Sequence, residues 1–183
     1  MSINLTKTQS FKFNLEKTDI ISKVFMGIGW DPADEDEDVD LDASCVLLDA
    51  DKEVIDTIYF ANLTSEDDAV EHQGDNTTGD GDGDDEVIDV NLGKLSSDVD
   101  SIVFTITSYS GQSFEDLDNC VARLVNSNTG KEMCRYELKN VGDYTAVIMC
   151  KLSRSNGGWE FKALGIGTDG ETADDLIDEI VDL

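Results

Sequence analysis

The sequence predicts an all-β fold: a sandwich of two antiparallel sheets with one or two short helices, including a C-terminal one. Three observations carry the prediction. Apolar residues alternate with period two along most of the chain, Asn and Gly clusters separate the alternating runs, and helical spacing is confined to two short stretches. Many short strands with few helices pack as two antiparallel sheets rather than as a parallel α/β fold. At 183 residues, 39% of them hydrophobic, the chain can bury a core of its own. It reads as one domain over residues 1–183, with no internal repeat or linker.

The elements follow in chain order. Residues 3–15 form the first alternating run. The next is the clearest, with Val24, Met26, Ile28 and Trp30 on one face and Lys23, Phe25, Gly27 and Gly29 on the other. Further strands are predicted over residues 43–49, 54–62, 86–91, 101–108, 120–126, 132–138, 144–154 and 159–167. Asn128-Thr129-Gly130 and Asn156-Gly157-Gly158 supply turns, because Asn and Gly tolerate the positive φ of tight hairpins. A short helix is predicted from Ser113-Phe114-Glu115-Asp116 with Leu117, Cys120 and Val121 behind it. Residues 172–183 form the other, with Thr172 as the cap and Leu176, Ile177, Ile180 and Val181 at helical spacing. Trp30, Trp159 and Phe161 are expected in the sandwich core.

Charge narrows the range of partners. Forty-one acidic residues against 13 basic ones give a formal net charge of −28, a self-repulsion that bound cations would relieve. Nucleic acid and anionic membrane surfaces both require clustered Lys and Arg, which this chain lacks. No stretch approaches the roughly 18 apolar residues of a membrane span, and the first 13 residues have no leader pattern. The protein is therefore expected to be soluble and cytoplasmic, with no membrane insertion. Cys45, Cys120, Cys134 and Cys150 lie among apolar neighbours without a CxxC pair, and read as buried thiols of a reducing compartment.

The chemistry concentrates in Gly74-Asp75-Asn76-Thr77-Thr78-Gly79-Asp80-Gly81-Asp82-Gly83-Asp84-Asp85-Glu86, where carboxylates alternate with glycines and no basic residue intervenes. Crowded carboxylates repel, and glycine lets the backbone wrap and turn its carbonyls inward, so a hard divalent cation bound by oxygens resolves both features. Calcium is the first candidate. Glu86 falls too early to close a twelve-residue helix-loop-helix calcium site, and the Gly-Asp alternation occurs once where a β-roll needs stacked copies. A second acidic stretch spans residues 31–42. Its unbroken run 34–38 has no glycine and reads as a solvated loop. Asp31, Asp40 and Asp42 are better aimed, at strand-to-loop edges, and Asp40 and Asp42 share a face where that stretch is extended.

Taken in order, Gly29-Trp30-Asp31-Pro32, Asp40-Leu41-Asp42-Ala43-Ser44, Gly74-Asp75-Asn76-Thr77-Thr78-Gly79 and Gly83-Asp84-Asp85-Glu86 resemble the TerD family. The likeness continues through Asp98-Val99-Asp100-Ser101-Ile102-Val103-Phe104, Val121-Ala122-Arg123-Leu124-Val125-Asn126 and Trp159-Glu160-Phe161-Lys162-Ala163-Leu164-Gly165, and covers nearly the whole chain. Thr8 replaces a glycine common in the family, and the run 34–38 is longer and more acidic than the family pattern. The resemblance implies a β-sandwich, a role in tellurium resistance and stress response, and calcium bound through acidic residues. On matching positions it implies Asp31, Asp40, Asp42, Asp75, Asn76, Asp80, Asp82, Asp84, Asp85 and Glu86 as ligand candidates. One calcium takes about six to eight oxygens, so this set suits about two ions.

The expected function is that of a calcium-dependent interaction module in a stress-response protein complex, not an enzyme. A scaffold with purely structural calcium is the nearest alternative. A metal-dependent hydrolase or phosphoryl-transfer enzyme is the other, since clustered carboxylates also hold catalytic metals. Against it, the sequence has no phosphate-binding Gly-x-x-x-x-Gly-Lys, no Gly-x-Ser-x-Gly turn, and no Arg or Lys within the acidic loop. His72, the one histidine, precedes the loop and reads as an ordinary histidine rather than a general base.

Overall fold

The computed structural model describes residues 22–31 and 39–183. The predicted strand 3–15, Thr8 and the acidic run 34–38 lie outside the described residues. Among the described residues there are ten strands: β1 (Lys23–Asp31), β2 (Leu41–Leu48), β3 (Val54–Ile58), β4 (Val70–His72), β5 (Glu86–Asn91), β6 (Ser101–Ser108), β7 (Asp118–Asn126), β8 (Lys131–Glu137), β9 (Ala146–Ser155) and β10 (Gly158–Thr168). They form two five-stranded antiparallel sheets, ordered β4-β5-β1-β7-β8 and β10-β9-β6-β2-β3. This is the predicted sandwich.

Alternation explains which face each strand buries. Val24, Met26, Ile28 and Trp30 of β1 point into the core between the sheets, where they meet Leu41, Ala43 and Cys45 of β2 and Phe104 of β6. Trp159 and Phe161 join the same core. Strands β2 and β6 are buried along their whole length, which alternation alone does not predict. Their second face is covered from outside. A 3-10 turn (Ala173–Leu176) and α1 (Ile177–Val181) lay Ala173, Leu176 and Ile180 over Val46, Leu48, Val103, Ala146 and Ile148. That segment starts with a capping box in which the Thr172 backbone N–H donates to Asp175 Oδ2 at 2.9 Å.

Three expectations change in detail. The helix expected behind Ser113 is a single 3-10 turn, Phe114–Asp116, capped by Ser113 Oγ accepting from the Glu115 N–H at 3.2 Å. Asn119 at φ +55 is incompatible with continuing it, and Cys120 and Val121 belong to β7 instead. Strand β3 stops at Ile58 rather than at residue 62, because Tyr59 and Asn62 close a turn on each other. Asn62 Nδ2 then donates to the Thr57 carbonyl while Asp56 Oδ1 accepts the Thr57 N–H, which blunts this sheet edge. Strand β4 was not foreseen, since three residues carry too little pattern. The hairpin joining β9 to β10 turns through Asn156 and Gly157, both at positive φ, as the sequence predicts.

All four cysteines are free and buried. Burial pushes the Cys45 and Cys120 thiols far above their ordinary range. The native protein should therefore leave a thiol reagent such as Ellman's unreacted over hours at pH 8, and denaturant should release four reactive thiols. Fast labelling of the folded protein would contradict this burial. Among the described residues no helix is long and apolar enough to cross a membrane.

Candidate metal centre

The site lies where the two sheets meet at one end. Asp40 immediately precedes β2 and Asp42 lies within it, while the loop of residues 73–85 connects β4 to β5. Glu86, the first residue of β5, points inward with Ile88 and Val90 and is 1% exposed. Its Oε2 accepts the Ala43 N–H at 2.8 Å and its Oε1 accepts the Asn76 N–H at 3.2 Å. Ala43 has that N–H to give because β3 pairs with β2 only from Cys45 onward. One buried carboxylate thus ties the base of the loop to the opposite sheet.

Beside it, Asp40, Asp42 and Asp75 converge, each offering a carboxylate oxygen within 4.8 Å of the others. Asp42 is 4% exposed, and Asp40 Oδ1 and Asp42 Oδ2 are buried with no hydrogen-bond partner among the described residues. Among the described residues no Lys or Arg is ion-paired with any of the three. Burial, then Glu86, Asp40 and Asp75, push the Asp42 carboxyl up to about 8. Burial, Asp75 and Glu86 raise Asp40 as well. Buried carboxylate oxygens left without donors are costly, and a cation would supply what this oxygen set lacks. The donors are all hard oxygens, which fits calcium and does not fit zinc.

The other predicted ligands divide. Asp85 is held on the end of β1, its Oδ2 accepting the Trp30 N–H at 2.9 Å and its Oδ1 accepting Asn76 Nδ2 at 3.3 Å. Burial raises its pKa against the Trp30 hydrogen bond, with Asp31, Asp84 and Asp80 adding to the rise. Asp31, Asp80 and Asp82 are exposed around it. Asn76 uses its side-chain oxygen within the loop, accepting from the Thr78 and Gly79 N–H groups at 3.1 and 3.0 Å. Asp84 is taken by a cation: Arg123 Nε donates to Oδ1 and Nη2 to Oδ2, each at 2.8 Å. Trp30 is in the core and also under the loop, its Nε1 donating to the Val39 carbonyl at 2.9 Å while Gly79 packs against its indole.

With this geometry in view, the TerD domain sequence model matches residues 1–179. The chain belongs to the TerD family. It is 43% identical over 189 residues to tellurium resistance protein TerZ of Serratia marcescens, covering 98% of this chain and 97% of that protein. General stress protein 16U of Bacillus subtilis (strain 168) is 40% identical, with 94% of each chain covered. Among solved structures, a homologue of telluride resistance protein TerD from Streptomyces coelicolor A3(2) superposes with a TM-score of 0.79 at 20% identity, covering 87% of this chain and 97% of that one. That likeness is one of fold.

Two residues of this TerD chain gain their place only in three dimensions. Arg123 sits alternately with Ala122 on β7, 39 residues from Asp84, so nothing in the local sequence ties it to the loop. His72 is 2% exposed, with Nδ1 accepting the Gly74 N–H at 3.2 Å and Nε2 lying 3.3 Å from Glu86 Oε2. The Nε2 contact is close enough for charge interaction but not aligned as a hydrogen bond. Both ring nitrogens face protein, which suits a structural histidine rather than a base open to substrate.

Proposed function

We propose that this TerD protein is a non-catalytic cytoplasmic calcium binder that acts in tellurium resistance and stress response as a calcium-dependent interaction module for other proteins of a stress-response complex. The observation behind the metal reading is the pair of partnerless buried oxygens, Asp40 Oδ1 and Asp42 Oδ2, beside Asp75. Asp40, Asp42 and Asp75 would hold one ion, completed by backbone carbonyls and water toward about six to eight oxygens. Asp31, Asp80, Asp82 and Asp85 are the candidates for a second. Glu86 and Asn76 position the loop base through their hydrogen bonds, and Glu86, like Asp85, keeps lone pairs with which to serve an ion.

Bound calcium supplies positive charge against the mutual repulsion of these carboxylates. The chain's own residues do the rest. Through a shared ion Asp75 would join the loop to the start of β2, and Glu86 joins the loop base to Ala43, so ordering of the loop is transmitted to the strand that carries Asp40 and Asp42. Residue 40 in turn holds the loop after β6, its N–H donating to Ser110 Oγ and its carbonyl accepting from the Tyr109 N–H. Tyr109 is 53% exposed, so a surface a partner can read lies one hydrogen bond from the site. Binding to the folded form alone adds about 2.7 kcal/mol of stability at a free calcium concentration one hundred times the dissociation constant.

Calorimetric titration of calcium into chelator-stripped protein tests this directly. The expected trace shows about two sites that excess magnesium does not remove, and Asp42→Asn should weaken one of them at least about tenfold. A flat trace with the unmodified protein would overturn the proposal.

A further inference from the structure

We infer that the outer face of the β4-β5-β1-β7-β8 sheet carries an oxyanion subsite built by Arg123 and Arg135, coupled to the cation of the acidic loop. The inference rests on the calcium reading above and adds a second ligand to it. Arg123 of β7 and Arg135 of β8 are direct partners across the ladder. Like charges placed opposite each other destabilise a sheet, and here two of only 13 basic residues are spent that way.

Each guanidinium commits one edge to a carboxylate. Arg123 Nε and Nη2 donate to Asp84, and Arg135 Nε and Nη2 donate to Glu132 at 3.1 and 2.9 Å. Neither Nη1 donates a hydrogen bond among the described residues. The two side chains are only 33% and 36% exposed, and both line an open cleft of about 430 Å³ that Gly81, Asp82 and Gly83 of the acidic loop also line. Paired guanidinium groups with donors to spare are a recognition element for phosphate-type oxyanions.

Asp31, Asp82 and Asp85 line the same cleft and would repel an anion. A divalent cation on the loop reverses that effect, because the ion is then the largest local charge. Oxyanion and cation therefore bind together, and the chemistry admits a phosphomonoester or a small inorganic oxyanion.

The test is titration of glycerol phosphate, and separately of tellurite, into the full chain in calcium and in chelator, followed by amide NMR shifts of β7, β8 and the loop. Saturable shifts with either anion in calcium, weakened at least about tenfold in chelator and in Arg123→Gln/Arg135→Gln, are expected. Response to tellurite alone would assign a free inorganic oxyanion; response to glycerol phosphate would assign a phosphomonoester. Arg135→Gln alone leaves the Asp84 ion pair intact and should lose most of the affinity while still binding calcium. Calcium binding with no anion response, or an undiminished response in the variants, would overturn the inference by itself. Absence of calcium binding would remove it together with the reading it rests on.

Discussion

Raising the pH from about 5 to about 8 should markedly weaken the metal-free protein, and calcium should reverse that trend. Asp42 is raised from its ordinary 3.8 to about 8 in the fold, so the folded state keeps a proton that the unfolded chain gives up. A group of this kind contributes stability that is full below the unfolded value and is lost as pH rises through the folded one. Between about 4 and 8 the loss approaches 1.4 kcal/mol per pH unit for a single fully shifted group, and accumulates to several kcal/mol. Asp40, Asp85 and Asp89 are shifted in the same direction and add to the slope. Asp67 and Asp175 are shifted downward, so their contribution appears above the unfolded value and is lost only in acid. Urea unfolding in chelator at pH 5, 6.5 and 8 reads this slope, and Asp42→Asn should remove much of it. In saturating calcium the same carboxylates bind the ion only when deprotonated, so stability should rise with pH over that window. A metal-free protein as stable at pH 8 as at pH 5 would contradict the buried, unpaired state of Asp42.

Gly29→Ala should damage stability and metal binding together. A Cβ at residue 29 would collide with the Gly83 carbonyl oxygen, a backbone atom with no rotamer to escape through. The loop is fastened at this point by the Asp85 N–H donating to the Ile28 carbonyl at 2.7 Å, next to the Trp30 N–H on Asp85 Oδ2. One methyl group therefore pries residues 83–85 from the end of β1. Overpacking of this kind costs about 1–3 kcal/mol, and calcium affinity should fall at least about tenfold as the loop carboxylates separate. Gly93→Ala is the matched control, since its Cβ would meet nothing nearer than Asn91 Oδ1 at 3.5 Å. Thermal unfolding and calcium calorimetry on both variants separate a local wedge from a general intolerance of alanine. Unchanged calcium binding in Gly29→Ala would mean that the end of β1 does not position the loop.

The strands were legible because each reports on itself. Val24, Met26, Ile28 and Trp30 need only a period of two to declare a buried face, and Asn156-Gly157 needs only its own φ preferences to declare a hairpin. A local turn ended β3 early, but at two other points a distant partner decided the outcome. The 3-10 turn at Phe114–Asp116 gives way to β7 because pairing with β1 and β8 outweighs weak local helical spacing. Burial of the outward side chains Val46 and Leu48 of β2 and Val103 of β6 comes from the C-terminal segment laid over them, more than 60 residues away along the chain.

The acidic site divides along the same line. Residue types and spacing established a β-sandwich and a set of hard oxygen donors, because these depend on local periodicity and local composition, while the ordered motifs pointed to the TerD family by resemblance. The sequence could not rank those donors. Only the tertiary structure brought Asp40 and Asp42 to Asp75 and stripped two of their oxygens of partners, turned Glu86 toward Ala43, and delivered Arg123 to Asp84. The physical reason is that a carboxylate's role is set by its desolvation and by the charges within a few ångströms, and both are properties of chain segments that meet only on folding.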